Sequence, residues 1–458
     1  MKYDILVVGS GPGGYVAAIR AAQQGKRVGL VERAEAGGVC LNWGCIPTKA
    51  LLKSAQVYLH CKEAEQYGVE VEGDIRPSLE KIVARSRAVA ETMSKGVQFL
   101  LKKNDIELIA GFGRLTAPGH LDVDGTDYEA DHIILATGAR PREMPFMPVD
   151  GKRIISSREA LMLTELPASM IVIGSGAIGC ELAWFYAALG VKVTIVEYLP
   201  RMMPLEDEEV SKTMERAFRK LRAAVLVSTT VKEVTVVGDH CEVAIEGKKG
   251  PETLTADMVL SAVGVQTNIE GIGLEEAGVA VERGKVVVDE YYRTNIPGIY
   301  AIGDIIPGPA LAHVASAEAI CCVDAICGLT PAPVDYSTVP SCIFTMPEVA
   351  SVGLTEQQLQ EQGIAYKVGR FPLTASGKAT AAGQRDGFVK LLFREDDDRL
   401  LGAHMVGAGV TEMLGEATLT RTLGATAHDL ARTIHAHPTL SEALMEAAEA
   451  AAGKAIHL

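Results

Sequence analysis

The chain has 458 residues, of which 48% are hydrophobic and 22% charged, and its formal net charge is -14. This length exceeds one ordinary core and predicts roughly three domains. The acidic balance argues against nucleic acid or an anionic membrane as the main partner, because both require a basic surface. No apolar run approaches the ~18 residues of a membrane-spanning helix, so no membrane span is expected.

Two further features concern the compartment. The first residues enter an apolar strand at once and carry no signal-peptide cleavage pattern. The 9 cysteines are an odd number spread along a long chain, unlike the disulfide framework of a small secreted protein. These features predict a cytoplasmic protein whose cysteines work in a reducing compartment.

The N-terminal segment contains a dinucleotide-binding pattern. An apolar run at residues 5–8 leads into a glycine-rich turn, and an Ala-rich helix over residues 15–24 precedes a second strand ending at Glu32. In this pattern the glycines let the backbone approach a pyrophosphate, the helix N-terminus donates N–H groups, and the acid binds a ribose. The glycines concerned are Gly9, Gly11 and Gly14.

The same pattern recurs in the middle of the chain. A strand at residues 170–173 is followed by a glycine turn, a helix and a strand ending at Glu197, and the acid stands at the same distance from the first glycine in both copies. Two copies predict two dinucleotides. No arginine follows directly after Glu197, which favours NAD over NADP because the carboxylate would repel a 2′-phosphate. The glycines of this copy are Gly174, Gly176 and Gly179.

Two cysteines, Cys40 and Cys45, lie shortly after the first acid. Zinc is disfavoured because the gap between them is long and no second ligand pair follows nearby, so no metal is expected. Lys49 and a predicted helix start would both favour a thiolate. Thiols beside a nucleotide predict electron transfer, and a flavin suits the first unit because it can exchange electrons with sulfur.

The spacing of these cysteines also constrains the backbone. Five residues of regular helix rise about 7.5 Å, whereas bridged cysteines have Cα atoms within roughly 7 Å. If Cys40 and Cys45 form a disulfide, the backbone between them cannot be ideal helix. Gly44 and Pro47 are the residues expected to permit the distortion.

These motifs, together with Tyr300–Asp304 and the C-terminal segment 435–442, resemble the flavin disulfide reductases over essentially the whole chain. The C-terminal His-Ala-His-Pro form is more similar to the lipoamide-linked members than to the glutathione-linked ones. The resemblance implies an α/β fold with two Rossmann-like dinucleotide-binding domains, for FAD and NAD, and a C-terminal α+β dimerisation domain. The implied boundaries are 1–142 (FAD, with the cysteine helix), 143–267 (NAD), 268–336 (central, completing the FAD site) and 337–458 (interface).

The resemblance also assigns cofactor contacts. Glu32 would bind the adenosine ribose of FAD, and Lys49 would lie near the flavin, paired with Glu181. Further contacts to FAD would come from Gly9, Gly11, Gly14, Gly113, Thr137, Gly138, Asp304, Ala312 and His313. Those lining NAD would be Gly174, Gly176, Gly179, Glu181, Glu197, Val231 and Gly264. From the residues alone, a helix-face acid at Glu181 and a core strand position at Val231 are equally good interpretations.

The implied reaction oxidises dihydrolipoamide to lipoamide through a Cys40–Cys45 disulfide, FAD and NAD. Cys40 would exchange with the substrate sulfur, Cys45 would face the flavin, and His437 would be the base that the exchange requires. Glu442 would orient His437, although Thr439–Glu442 also has the form of a helix capping box, and one side chain was expected to serve both roles poorly. His435 is expected to be a neighbour of the site.

The resemblance implies a homodimer in which His437 serves the cysteines of the other subunit. The substrate would be dihydrolipoamide on a separate lipoyl-carrying protein, either the acyltransferase of a 2-oxo acid dehydrogenase complex or a glycine cleavage carrier. The alternatives are a glutathione- or mercuric-reductase-like enzyme and a non-catalytic flavin-binding subunit. Trp43 departs from the small β-branched residue often found in the family, and Val265–Thr267 departs at a nucleotide contact. The pair Cys321-Cys322 is expected to be helix core.

Overall fold

The computed structural model describes residues 2–458, which fold into two compact units. Unit 1 contains the chain up to Ala50 together with Lys81–Arg142 and Val265–Tyr336. Unit 2 contains Leu51–Glu80, Glu143–Gly264 and Ser337–Leu458. The four domain boundaries implied by the resemblance stay a prediction.

Helices and strands account for most of both units. The helices are α1 Pro12–Gln23, α2 Gly38–Asn42, α3 Cys45–Lys62, α4 Leu79–Lys103, α5 Ser157–Ala160, α6 Ala177–Ala188, α7 Glu208–Lys220, α8 Ala312–Ile326, α9 Glu356–Glu361, α10 Gly377–Ala381, α11 Val410–Thr422, α12 Ala427–Arg432 and α13 Glu442–Ala451. The strands are β1 Lys2–Val8, β2 Val28–Glu32, β3 Glu107–Ala110, β4 Gly113–Ala117, β5 His120–Val123, β6 Thr126–Leu135, β7 Ala139–Pro141, β8 Ile154–Ile155, β9 Ser169–Ile173, β10 Lys192–Val196, β11 Ala224–Leu226, β12 Thr230–Val237, β13 His240–Gly247, β14 Gly250–Ala256, β15 Met258–Ser261, β16 Val265–Thr267, β17 Val281–Glu282, β18 Lys285–Val286, β19 Ile299–Ala301, β20 Pro340–Ile343, β21 Glu348–Gly353, β22 Tyr366–Pro372, β23 Phe388–Arg394 and β24 Leu400–Gly407.

Unit 1 is built on a sheet with the order β3-β2-β1-β6-β5-β4, and β19 also pairs with β6. The strands β3, β2, β1, β6 and β19 run parallel, whereas β5 and β4 join antiparallel. The apolar run Ile5–Val8 is buried because a parallel sheet is covered on both faces. Helices α1 and α8 pack against each other beside this sheet, and β1 lies where the strand order reverses.

Unit 2 repeats this arrangement with a parallel sheet in the order β11-β10-β9-β15-β8. Strand β9 takes the place of β1, with one neighbour on each side, and α6 is the crossover helix that follows it. Ligands of such sheets bind outside the carboxyl ends of the strands, at the point where the strand order reverses. The predicted pair of dinucleotide folds is therefore confirmed.

Two antiparallel sheets complete unit 2. The sheet β20-β21-β24-β23-β22 carries α11, α12 and α13, and their apolar residues share one core with the sheet. This confirms the expected C-terminal α+β part. The second sheet, β12-β13-β14, was not anticipated from the sequence.

Membrane-spanning helices and metal-binding clusters are both features that would define a partner. Among residues 2–458, no helix is both long and apolar enough to cross a bilayer. Within the same range, no cluster of three or more His, Cys, Asp or Glu side chains is placed to hold a metal ion.

Candidate active site

The glycines of the first turn, between β1 and α1, have two different roles, close packing and space for a ligand. A Cβ on Gly9 would lie 2.3 Å from the Ala136 carbonyl oxygen, and one on Gly14 would lie 1.7 Å from the oxygen of Gly9. These two glycines therefore allow helix and strands to pack closely. A Cβ on Gly11 would meet nothing within 4 Å. The space beside Gly11 lies at the N-terminus of α1, where a pyrophosphate is expected to bind.

The second turn, between β9 and α6, repeats this division. A Cβ on Gly174 would lie 2.4 Å from the Ala262 oxygen, and one on Gly179 would lie 2.1 Å from the oxygen of Gly174. Gly176, like the middle glycine of the first turn, has open space beside it. Each turn thus leaves open space beside its middle glycine at a helix N-terminus, which is compatible with one dinucleotide pyrophosphate.

The acid at the end of each second strand is held by the serine of its own glycine turn. Glu32 Oε2 accepts from the Ser10 N–H at 2.9 Å and from the Ser10 hydroxyl at 2.6 Å, while Oε1 accepts from the Ala34 N–H at 2.9 Å. Glu197 makes the same bonds to Ser175, at 2.9 Å and 2.7 Å, and to the Leu199 N–H at 2.8 Å. Both carboxylates are fixed at the strand ends and keep acceptor capacity for a ribose. Sequence reasoning did not identify these bonds, for which the serine of each Gly-Ser-Gly turn was the available sign.

Several residues expected near FAD lie at strand and helix ends of unit 1. Thr137 and Gly138 follow β6, where the Thr137 hydroxyl donates to the Asn268 carbonyl at 2.7 Å and Asn268 donates back to the Thr137 carbonyl at 3.0 Å. Gly113 begins β4, while Ala312 and His313 begin α8. These positions are compatible with the expected contacts, which stay predictions.

Asp304 lies in a short turn, Gly303–Ile305, directly after β19. Burial raises the pKa of its carboxyl, and Lys285 opposes this effect. The same turn is held by Glu318, which was not identified from the sequence and accepts from the Gly303 N–H at 2.6 Å and the Tyr336 hydroxyl at 2.7 Å. Burial is the main reason that the pKa of Glu318 rises to about 7.

The residues expected near NAD lie in unit 2. Glu181 is 3% exposed on α6, and its Oε1 accepts from the Phe344 N–H at 3.0 Å. Val231 is a partly buried residue of β12 that packs against a core cluster. Gly264 follows β15, and a Cβ there would meet nothing within 4 Å. The pairing of Glu181 with Lys49 and the nucleotide contact of Val231 stay predictions.

Cys40 and Cys45 lie on opposite sides of a helix break. Cys40 belongs to α2, which ends at Asn42, and Cys45 is the first residue of α3. Trp43 leaves the helical conformation at φ -139° and ψ 19°. A Cβ on Gly44 would lie 3.1 Å from the Val39 oxygen and 3.5 Å from the Cα of Cys40, so glycine allows the close return of the chain. The non-helical connection expected from the spacing is confirmed at Trp43 and Gly44, whereas Pro47 lies within the first turn of α3, where proline is tolerated.

The structure shows the pair as two thiols, and the surroundings of Cys40 perturb its ionisation. A side-chain hydrogen bond with Cys45, burial and the charge of a Cys45 thiolate raise the pKa of the Cys40 thiol, while Lys49 lowers it. The Cys40 thiol therefore keeps its proton more firmly than an ordinary cysteine. The place of Cys45 at the N-terminus of α3 favours a thiolate there, as the sequence predicted.

The connection between the cysteines is held by side chains that sequence reasoning missed. The Asn42 side chain donates to the carbonyls of Ala36 and Gly38, both at 3.0 Å. Arg87, on α4, donates to the Asn42 carbonyl, and its guanidinium carbon lies 4.1 Å from the centre of the Trp43 ring. A contact from so distant a part of the chain leaves no local signal in the sequence.

His437 and Glu442 form a pair in unit 2, where His437 Nδ1 and Glu442 Oε1 are 2.9 Å apart. The other carboxylate oxygen accepts from the Thr439 N–H at 2.8 Å. Burial would raise the pKa of Glu442, but the bonds from Thr439 and His437 outweigh it and lower the pKa. Each carboxylate oxygen thus has its own partner, and the orienting role of Glu442 stays a prediction. A proton on Nδ1 leaves the Nε2 lone pair of His437 available as a base.

The two histidines of this segment differ in exposure. The side chain of His435 is 5% exposed, whereas the side chain of His437 is 79% exposed. His435 Nδ1 lies 2.9 Å from the Thr433 oxygen and its Nε2 lies 2.7 Å from Glu416 Oε1. Both ring nitrogens of His435 are occupied, so His437 is the accessible base of the two.

The vicinal cysteines have no part in this constellation. Cys321 and Cys322 lie in α8 and are 4% and 0% exposed. Burial is the main reason that the pKa of both thiols is raised. The prediction that they form helix core is confirmed.

The chain matches a known protein family over most of its length. Residues 3–319 match the family described as pyridine nucleotide-disulphide oxidoreductase, and residues 339–448 match the dimerisation domain of the same family. The first match covers more than half of the chain and includes both glycine turns and the cysteine pair.

Similar proteins of full length are known. The chain is 48% identical over 457 residues to dihydrolipoyl dehydrogenase of Chlorobaculum parvum, covering 98% of this chain and 97% of the relative. It is 46% identical over 471 residues to dihydrolipoyl dehydrogenase of Bacillus subtilis, covering 100% and 99%. Among solved structures, LpdA from Mycobacterium tuberculosis superposes with a TM-score of 0.91 at 29% identity, over 98% of this chain and 99% of that one.

Proposed function

The chain belongs to the pyridine nucleotide-disulphide oxidoreductase family, and from this premise we propose which of its residues carry out the family's reaction. The protein is a flavoprotein disulfide oxidoreductase that oxidises dihydrolipoamide with FAD and NAD, as full-length relatives at 46–49% identity indicate. The observation that carries the proposal is the cysteine pair, with two thiols on either side of a helix break and one of them at a helix N-terminus.

The two glycine turns hold the cofactors. Gly11 would hold the pyrophosphate of FAD and Glu32 its ribose, and Gly176 and Glu197 would hold the corresponding parts of NAD. Support comes from the open space at both middle glycines and from the serine-held carboxylates. Bound FAD supplies two-electron exchange with the disulfide on one side and hydride exchange with the nicotinamide on the other.

The cysteines divide the sulfur chemistry between them. Cys40 exchanges with the substrate: a thiolate of dihydrolipoamide attacks its sulfur, the Cys40–Cys45 bond breaks, and Cys45 leaves as a thiolate. The second substrate sulfur then displaces Cys40 as lipoamide closes its own disulfide. Two electrons and the cysteine protons stay with the enzyme. The raised pKa of the Cys40 thiol and the position of Cys45 at the N-terminus of α3, which favours a thiolate there, support this order.

His437 moves the proton. Its Nε2 accepts the thiol proton of dihydrolipoamide so that a thiolate can attack, and Glu442 stabilises the charged ring through Nδ1. The chain forms a homodimer, consistent with its match to the dimerisation domain. In that dimer, we assign His437 of one subunit to the cysteines of the other.

Two further parts of the proposal concern the partner protein and the location in the cell. The dihydrolipoamide is carried on a separate lipoyl protein, either the acyltransferase of a 2-oxo acid dehydrogenase complex or a glycine cleavage carrier. The location is the cytoplasm, which suits an odd number of cysteines spread along a long chain. Glutathione- or mercuric-reductase-like activity and a purely structural flavin subunit are less favoured, since the full-length relatives carry the lipoamide enzyme's name.

Steady-state rates test the assignment. Purified enzyme is offered NAD or NADP with dihydrolipoamide, and NADH or NADPH with oxidised glutathione. We expect turnover with NAD and dihydrolipoamide, and its loss in C40S and C45S while the visible flavin absorbance is retained. A preference for NADPH and glutathione, or full activity in either cysteine variant, would refute it.

A further inference from the structure

The connection between Cys40 and Cys45 is supported from outside by α4. Arg87 donates to the backbone carbonyl of Asn42, the last residue of α2, whose carbonyl lies where the helical ladder ends. The same guanidinium stacks on the Trp43 ring, with 4.1 Å between its carbon and the ring centre. One side chain therefore binds both residues that precede Gly44.

Trp43 is also fixed at its other end. Its indole N–H donates to Glu35 Oε2 at 3.3 Å, and its backbone N–H donates to the Val39 carbonyl at 2.7 Å. The indole thus lies between an acid that precedes α2 and an arginine of α4. Stacking of a guanidinium on an aromatic face is stabilising, and tryptophan is the best partner for it.

Two neighbours of Arg87 bind carbonyls further along α3. The Ser86 hydroxyl donates to the Pro47 carbonyl at 2.8 Å, and Arg85 donates to the Ala50 carbonyl at 2.9 Å. These two contacts hold α3 after Cys45. Arg87 differs from them because its contacts fall within the stretch that joins the two cysteines.

We propose that Arg87 and Trp43 are a positioning pair for the Cys40–Cys45 redox couple, fixing the non-helical connection so that the two sulfurs stay within bonding reach when reduced. The inference rests on the proposed function, in which this pair cycles between dithiol and disulfide. A connection that is already fixed in the dithiol loses little freedom when the disulfide closes. The pair therefore raises the effective concentration of one thiol at the other.

The disulfide equilibrium of the holoenzyme tests this role without any turnover. The enzyme is equilibrated in buffers of reduced and oxidised dithiothreitol, where the Cys40–Cys45 bond breaks as two thiols form and dithiothreitol closes its ring. Acid quenching, alkylation and mass spectrometry then give the fraction of disulfide. Flavin absorbance and thermal unfolding report whether each variant is folded.

We expect R87M and W43V each to lower the equilibrium constant for disulfide formation about tenfold. The double variant should fall no further than the single ones, because the residues act as a unit. R87K and W43F should retain part of the effect, since each keeps one element of the stacked pair. R85M, a matched change two residues away, should stay within about twofold of the wild type.

The possible results distinguish a failure of the positioning role from a failure of the proposed function. A wild-type disulfide that forms normally but is equally stable in R87M and W43V would overturn the positioning role alone, as would full additivity in the double variant. Absence of any Cys40–Cys45 disulfide in the wild type would overturn the proposed function and the positioning role together. If R87M and W43V fail to bind flavin, R87K and W43F decide by the same measurement.

Discussion

Glu442 gives each of its carboxylate oxygens a different partner. One oxygen faces His437 Nδ1 and the other accepts the Thr439 N–H, while the Thr439 hydroxyl donates to the Ala436 carbonyl instead of capping the helix. The capping-box sequence is therefore only half used. The carboxylate ties the base to the start of α13, so the orientation of the imidazole depends on the backbone of this turn.

This arrangement predicts the effect of E442Q. Glutamine replaces one carboxylate oxygen by an NH2 donor, and because His437 Nδ1 and the Thr439 N–H lie on different oxygens, one of the two bonds is lost. The base loses its orientation and the stabilisation of its charged form, and kcat with dihydrolipoamide should fall about 100-fold while KM changes little. Steady-state kinetics check this, with E449Q on the same helix as the matched control. A fall in thermal stability without a fall in kcat would contradict the orienting role.

Glu206 is a buried acid with no part in the site. Among the described residues, its Oε2 has no hydrogen-bond partner. Burial raises its pKa to about 7, Ser351 opposes this, and the charge of Asp207 adds to it. The folded protein therefore binds this proton more tightly than the unfolded chain, whose ordinary value is 4.5.

The sign of the resulting pH dependence follows from that difference. A carboxyl whose folded pKa is raised favours folding at low pH, and this advantage is lost as pH rises from about 4.5 to about 7. The free energy of unfolding of E206Q, relative to that of the wild type, should be about 2–3 kcal/mol larger at pH 8 than at pH 5, because only the wild type loses this stability as the pH rises. Thermal unfolding at both pH values measures it, with the exposed Glu233→Gln as control. An equal effect of E206Q at both pH values would rule out the raised pKa.

At the scale of elements, the two glycine turns repeat each other atom by atom. In each strand–turn–helix unit the outer glycines meet backbone oxygens and the middle glycine faces open space. The serine between the first two glycines binds the acid of the next strand in both. Packing and ligand binding are therefore assigned to different glycines of one motif.

Two alanine substitutions in the second turn separate these roles. Gly176 has room for a methyl group and an ordinary backbone conformation, so G176A should fold normally but raise KM for NAD about tenfold or more. Gly179 would place its methyl against the Gly174 oxygen, so G179A should lower the melting temperature instead. Melting curves and NAD titrations of both variants provide the comparison. A loss of stability in G176A equal to that in G179A would refute the division.

Elements with strong local patterns were predictable from the sequence, and contacts between distant segments were not. The paired dinucleotide units follow from strand, turn and helix patterns, and the break after Cys40 follows from a covalent distance limit. The support of Trp43 by Arg87 depends on how α4 packs, which no local pattern records. The same holds for Lys390, which is 3% exposed and bonded to Asp207 at 3.0 Å and to Glu356 at 2.6 Å. A lysine in a strand is ordinarily read as an exposed position.

At the scale of the whole molecule, the proposed catalytic groups belong to different compact units. The cysteines belong to unit 1 and His437 to unit 2, and some 390 residues of chain separate His437 from Cys45. The match of residues 339–448 to the dimerisation domain indicates that the unit carrying His437 also forms the subunit interface. The dimer proposed above would then assemble each complete site from two copies of the chain, with one contribution from each.

Hybrid dimers distinguish this arrangement from a site within one subunit. Two differently tagged chains, one C45S and the other H437Q, are co-expressed and the mixed dimer is isolated through both tags. If the base acts across the interface, the intact His437 of the first chain serves the intact cysteines of the second, and about half of the wild-type activity should return. The reciprocal hybrid pairs a wild-type chain with one carrying both substitutions. It should be inactive, because its intact cysteines face the substituted base. A site contained in one subunit predicts the opposite result for each hybrid, so activity in the reciprocal hybrid alone would exclude the shared site.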